Sequence, residues 1–149
     1  LIHRFKYDGI SYLSRIMGWW MAQAFKQRCG WKVDIIMPVP LHPKRQRQRG
    51  FNQSALLARE LGRYIGVSVN EGVLIRKKYT TAQAGLNKFQ RMQNLQGAFE
   101  VREIEAVRGK TILLVDDVFT TGSTVDECSK VLMQARAQRV YVLTLATGR

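Results

Sequence analysis

The sequence predicts an α/β domain in which a mostly parallel sheet is flanked by helices. Three observations predict it. Thr111 to Val115 is an apolar run of central-strand type, and after a turn Ser123 to Gln138 carries Val125, Cys128, Val131, Leu132 and Ala135 on one helical side. Val140 to Ala146 then returns as a second β-branched run, which completes a strand–turn–helix–strand unit. Upstream, short β-rich runs again alternate with helical periods. The 149 residues are enough for one domain with a real core and too few for two ordinary ones, so 1–149 reads as a single domain.

The earlier elements follow in order. Leu1 to Gly9 is basic and aromatic and ends in an Asp8-Gly9 turn signal. From Ile10 to about Lys26, Leu13, Ile16, Met17, Trp20, Ala24 and Phe25 recur at a helical period, and Cys29-Gly30 closes that helix. Val33 to Val39 is a buried-strand run stopped by Pro38 and Pro40. Pro40 to Phe51 reads as a loop. Asn52 or Ser54 caps the next helix, which turns Leu56, Leu57, Leu61 and Ile65 inward and stops at Gly66. Val73 to Ile75 suggests a strand and Ala98 to Val101 a short one. Between them Arg76 to Gln96 is polar with few anchors, which argues for a functional loop or lid.

Composition narrows the class. Hydrophobic residues make up 46% and charged residues 23%, the balance of a soluble globular domain. No apolar run approaches the ~20 residues of a membrane-spanning helix, and no secretory signal is visible. Leu1 stands where an initiating methionine would, so a segment upstream is expected. Cys29 and Cys128 form no C-x-x-C pair and build neither a disulfide framework nor a zinc site, and no side-chain cluster suggests a metal. A buried thiol at Cys128 and a reducing, cytoplasmic setting are the expectation. Twenty-four Lys and Arg against eleven Asp and Glu leave +13, which favours an anionic partner.

The chemistry lies in Val115-Asp116-Asp117-Val118-Phe119-Thr120-Thr121-Gly122-Ser123-Thr124. Ligands of open parallel sheets sit beyond the carboxyl ends of the strands, where this turn is expected to run from Asp116 to Gly122. Thr120, Thr121, Gly122, Ser123 and Thr124 would present backbone N–H groups and hydroxyls at a helix N-terminus, a site for a phosphate dianion. Asp116 and Asp117 would accept hydrogen bonds from vicinal ribose hydroxyls. Together these describe a ribose 5-phosphate. The plainer reading, an acid pair that only caps a helix, is outweighed by the preceding strand and the hydroxyl-rich turn. No Gly-Lys-Ser/Thr and no Gly-x-Gly-x-x-Gly is present.

That stretch resembles the signature of type I phosphoribosyltransferases, whose substrate is phosphoribosyl pyrophosphate (PRPP). More narrowly, Lys6-Tyr7-Asp8-Gly9, Pro38-Val39-Pro40-Leu41, Arg49-Gly50-Phe51-Asn52-Gln53, the Thr81–Gln83–Leu86–Arg91–Asn94 series and Gly97-Ala98-Phe99 resemble the ComF/GntX family. The resemblance implies a type I phosphoribosyltransferase-like fold, with Asp116, Asp117 and Arg91 as the catalytic set. It implies that Val39, Pro40, Leu41 and His42 hold pyrophosphate or its Mg²⁺, and that Arg91, with Lys88, lies on a loop that closes over the reaction centre. It also implies an N-terminal zinc ribbon, which this chain lacks. Where the purine-using branch often has an acid before Thr-Gly, this sequence has Thr120, which is no general base near neutral pH.

Two functions stay open. The first is a PRPP-binding, ComF-like protein acting on single-stranded DNA in natural transformation, in contact with competence machinery. The second is an active phosphoribosyltransferase of nucleotide metabolism with an unidentified acceptor. Lys44, Arg45, Arg47 and Arg49 read either as a solvated loop or as a contact for polyphosphate or nucleic acid. Phe51, Tyr79, Phe89 and Trp31 are base-stacking candidates, each read first as packing. The sequence does not fix an oligomeric state.

Overall fold

The computed structural model describes residues 10–79, 87–119 and 121–147. Its elements in chain order are α1 (Ile10–Ala24), continued by a π-helical turn (Phe25–Cys29), β1 (Ile35–Pro38), α2 (Pro43–Arg49) and α3 (Gln53–Ile65). Next come β2 (Leu74–Arg76), α4 (Lys88–Leu95), β3 (Phe99–Val101), a 3₁₀ turn (Ile104–Ala106), β4 (Thr111–Phe119), α5 (Ser123–Gln134) and β5 (Arg139–Thr147).

Among these residues β1, β4 and β5 form a parallel sheet with β4 in the middle, and β2 pairs antiparallel with β3. The expected α/β architecture is therefore the observed one. Ile112, Leu113, Leu114 and Val115 are all fully buried because helices cover both faces of β4. Side chains alternate between those faces. Ile112 and Leu114 join α5, β2, β3 and Leu95 of α4, whereas Leu113 and Val115 join α1 and α3. Beyond β1, Ile36 N–H donates to Ser68 O at 2.8 Å and Asn70 N–H to Ile36 O at 2.9 Å, so an extended segment covers that edge.

The structure corrects four expectations. Trp20 does not face the core, being 56% exposed; α1 buries Ser14, Gly18, Met21 and Ala22, and the π-helical turn buries Phe25. Small residues let α1 approach α3 closely, and a Cβ on Gly18 would overlap Glu60 Cβ. The Pro40–Phe51 loop contains α2, capped by His42 Nδ1, which accepts from Lys44 N–H, opened by Pro43 and closed by Gly50 at φ 87°. Within the Arg76–Gln96 loop stands α4, whose Asn87 and Gln90 form a reciprocal capping box. Finally, the turn expected from Asp116 starts later, because β4 continues through both acids to Phe119 and pairs with β5 as far as Thr147. Residues 80–86 and 120 lie outside the described residues, so Thr81, Gln83, Leu86 and Thr120 are not placed.

Candidate functional site

Asp116 and Asp117 stand near the carboxyl end of the central strand. Asp116 Oδ1 accepts from Ser54 Oγ at 3.0 Å and from the Asp117 N–H at 2.9 Å, while Asp117 Oδ1 accepts from the Val118 N–H at 2.9 Å. Ser54 is buried at the start of α3. Burial is the main cause that pushes the Asp116 carboxyl up to about 7. A hydrogen bond to Asp117 and its charge push the same way, and the bonds from Ser54 and the Asp117 backbone oppose them.

Beyond the strand, Gly122 caps α5 at φ 84°. A Cβ there would meet the Phe119 ring at 2.8 Å, so both conformation and space call for glycine. Thr121 Oγ1 and Ser123 Oγ share a hydrogen bond of 2.8 Å, and Ser123 is buried. Of the expected hydroxyl row, it is Thr124 that lines the chamber beside the acids.

On the opposite wall Val39 N–H donates to Val115 O at 2.8 Å, which continues the β1–β4 ladder into the Val39–His42 turn. Asn52 ties this turn to α3: its Nδ2 donates to Val39 O at 3.1 Å and its Oδ1 accepts from the Ser54 N–H at 3.0 Å. Asn52 and Ser54 thus join the Val39 carbonyl to the Asp116 carboxylate through two adjacent side chains. The chamber so enclosed measures about 150 Å³, and Val39, Pro40, Leu41, Arg49, Arg76, Asp116, Asp117 and Thr124 are among its walls. A recess of about 20 Å³ continues from it along Asp116, Gly122 and Thr124.

The structure therefore brings together the acid pair, Gly122, Thr124, the Val39–Leu41 turn and Arg49. It does not bring Arg91 there. Arg91 lies on α4, lines neither space, and has its Nε buried without a hydrogen-bond partner. His42 turns to the other side of Pro40, its ring centroid 5.2 Å from that of Tyr79. Lys44 Nζ lies 4.6 Å and the Arg45 guanidinium 5.8 Å from the same Tyr79 ring, while Arg47 is exposed on α2. Trp31 stacks on Tyr141 and belongs to the packing between α1 and β5, and Phe89 is exposed on α4.

Sequence reasoning missed Ser54 and Arg76 as site residues. Ser54 reads as a helix cap, and Arg76 reads as one cation among many. Burial lowers Arg76's pKa, with the nearby charge of Arg45 acting in the same direction. Among the described residues no group of three His, Cys, Asp or Glu is placed to hold a metal, and no helix is long and apolar enough to cross a membrane.

A phosphoribosyl transferase domain model matches residues 13–149. Competence protein F of Haemophilus influenzae is 35% identical to this chain, over 98% of the chain and 66% of that protein. The chain belongs to the phosphoribosyl transferase domain family, in its ComF branch. The DNA utilization protein YhgH of Escherichia coli K12 is also 35% identical, over 97% of the chain and 65% of that protein. This ComF-family chain thus spans about two thirds of the length of these relatives. Glutamine PRPP amidotransferase from B. subtilis shares the fold at a TM-score of 0.60 and 20% identity, over 89% of this chain and 26% of the larger one.

Proposed function

We propose that the chain binds PRPP, or a related sugar phosphate, in the chamber between the acid pair and the Val39–His42 turn. The observation that carries this reading is the juxtaposition of Asp116 and Asp117 with Thr124 at the start of α5, across about 150 Å³ from the proline-flanked turn. Asp116 and Asp117 accept the 2′ and 3′ hydroxyls. Thr121 to Thr124 and the first N–H groups of α5 hold the 5-phosphate. The Val39–Leu41 turn receives the pyrophosphate, with Arg49 and Arg76 balancing its charge. Arg91 is left out of the contact set because it lines neither space.

Two adjacent carboxylates, with no third such ligand beside them among the described residues, suit an Mg²⁺ that arrives on a polyphosphate and keeps its waters, rather than a resident metal. Asp116 and Asp117 would supply its protein-side oxygens, and the ion would neutralise pyrophosphate charge.

Calorimetric titration with PRPP, with and without Mg²⁺, tests the reading. Saturable, Mg²⁺-dependent binding is expected, and the Asp116→Asn/Asp117→Asn double variant should weaken it about a hundredfold or more. Unchanged affinity in that variant would overturn the site assignment.

The partner process we propose is DNA uptake, as the names of the relatives suggest. Support comes from α2, an exposed helix that carries Lys44, Arg45, Arg47 and Arg49 beside the proposed sugar-phosphate chamber. Single-stranded DNA would meet these cations through its phosphates. Replacing Lys44, Arg45 and Arg47 with glutamate should weaken binding of an oligonucleotide. It should also flatten the slope of log affinity against log salt by about 2, at ~0.7 per lost contact. An unaltered slope would remove α2 from the interface.

A further inference from the structure

Across the Pro40–Leu41 turn from the acid-lined chamber lies a larger cavity of about 560 Å³. Its floor is apolar, made by Pro38, Ala55, Leu56, Leu74 and Ile75. Gly50, at φ 87°, ends α2 and lets the chain turn so that Phe51 stands in the wall. The rim is cationic, with Arg59, Arg76, Lys77 and Arg102. Glu71 is the one carboxylate lining it among the described residues. Arg59 holds Glu71 by two hydrogen bonds of 2.6 Å, from Nε and from Nη2.

We propose that this cavity is a second ligand site, and that it takes a nucleoside 5′-phosphate, free or as the terminal nucleotide of a single strand. A space of this size matches small-molecule sites, which run from roughly 300 to 1,000 Å³. The apolar floor and the Phe51 edge suit a base and the flat side of a sugar. Lys77, Arg102 and Arg76 at one side suit the phosphate. The lining does not suit the diol-reading chemistry of the acid chamber, since its carboxylate is already engaged by Arg59.

This second site stands apart from the ribose-phosphate reading and does not need it. The two spaces nevertheless share a wall: Pro40, Leu41, Asn52 and Arg76 line both. Asn52 holds the Val39 carbonyl, so an occupant of the large cavity presses on the turn that faces the acids. Binding in one space changes affinity in the other, and by linkage the effect is mutual.

The test follows the methyl resonances of Leu56 and Ile75 while the chain is titrated with adenosine 5′-monophosphate (AMP), adenosine, inorganic phosphate, and 5′-phosphorylated and unphosphorylated oligothymidylate. AMP should shift both residues. Lys77→Glu/Arg102→Glu, two exposed positions, should weaken AMP at least tenfold with the thermal midpoint unchanged. Competition by the 5′-phosphorylated oligonucleotide alone would identify a strand terminus as the source, and absence of competition a free nucleotide; both agree with the site.

Three results would overturn it. One is no shift at either methyl with millimolar AMP. Another is an equal response to inorganic phosphate, which would mean no nucleoside is read. The last is loss of AMP binding in Asp116→Asn/Asp117→Asn, which would place the nucleotide among the acids. Failure to bind PRPP with the Leu56 and Ile75 shifts retained would sink the ribose-phosphate reading and leave this one standing.

Discussion

The two spaces on either side of the Pro40–Leu41 turn differ in sign more than in construction. Both are roofed by the same turn and share Arg76. The smaller ends on two carboxylates, whereas the larger is rimmed by cations and has its one acid neutralised. The difference teaches that the strong positive charge of the chain is not spread evenly over its sites. A ligand in the small chamber would span from cations to acids, so its phosphates and its hydroxyls find different ends. A ligand in the large one meets a single sign of charge.

The sharpest way to break the comparison is Gly122→Ala. It forces a side chain into a φ 84° conformation and against the Phe119 ring. The left-handed conformation alone costs about 1–2 kcal/mol. We expect the thermal midpoint to fall by about 5 °C and PRPP affinity to drop about tenfold. AMP binding measured without PRPP should be untouched, and a parallel loss of both ligands would mean that one site takes them both.

A second test uses pH. Asp116 in the folded chain holds its proton up to about 7, above its ordinary carboxylate value. The native state therefore binds more protons than the unfolded one between about 4 and 7, and stability falls as pH rises through that window. Thermal melts from pH 4 to 8 should show this decline, with Asp116→Asn flattening it. An identical profile in the variant would show that Asp116 ionises as an ordinary acid. Ionised Asp116 is the better acceptor for a diol, so PRPP affinity should rise over the upper part of the same window.

The smallest effect is expected from Ser54→Ala. Its hydroxyl gives Asp116 a hydrogen bond that opposes the upward shift, and losing it costs about 1 kcal/mol. The midpoint of the PRPP affinity profile should move to higher pH. A midpoint that stays in place would reduce Ser54 to a packing residue.

How much of this was legible in the sequence depended on whether a residue's role is local. The β4–α5–β5 unit was legible because its apolar runs are buried on both faces and its helix has one inward side. The place of the acid pair and of Gly122 around the end of β4 was legible as well, because all three lie within a few residues of that strand's apolar run. In contrast, α2 reads as a loop in the sequence because it has no apolar face for periodicity to detect. It is held at its ends, by His42, Pro43 and Gly50. The inward face of the first helix is only partly legible: Met17 and Phe25 pack inward as their period predicts, but close helix packing also selects Ser14, Gly18 and Ala22 in place of Trp20. Of the two cap candidates Asn52 is the observed N-cap and Ser54 the second helical residue, whose bond to Asp116 joins positions 62 apart in sequence, and no spacing rule reaches that far. The larger cavity draws Pro38, Leu41, Gly50 and Phe51 from two sequence motifs, but the rest of its wall comes from α3, β2 and residues far apart in sequence, so no spacing announces it.

The stack of Trp31 on Tyr141, with ring centroids 4.1 Å apart and planes within 7°, has an optical consequence. Trp19 and Trp20 are solvent-facing on α1, so a soluble quencher reaches them first and their emission lies to the red. Trp31 emits from a half-covered place against the edge strand, away from both spaces beside the Pro40–Leu41 turn. Trp31 lines neither space, so its fluorescence is expected to report detachment of β5 and to change little when ligands fill them.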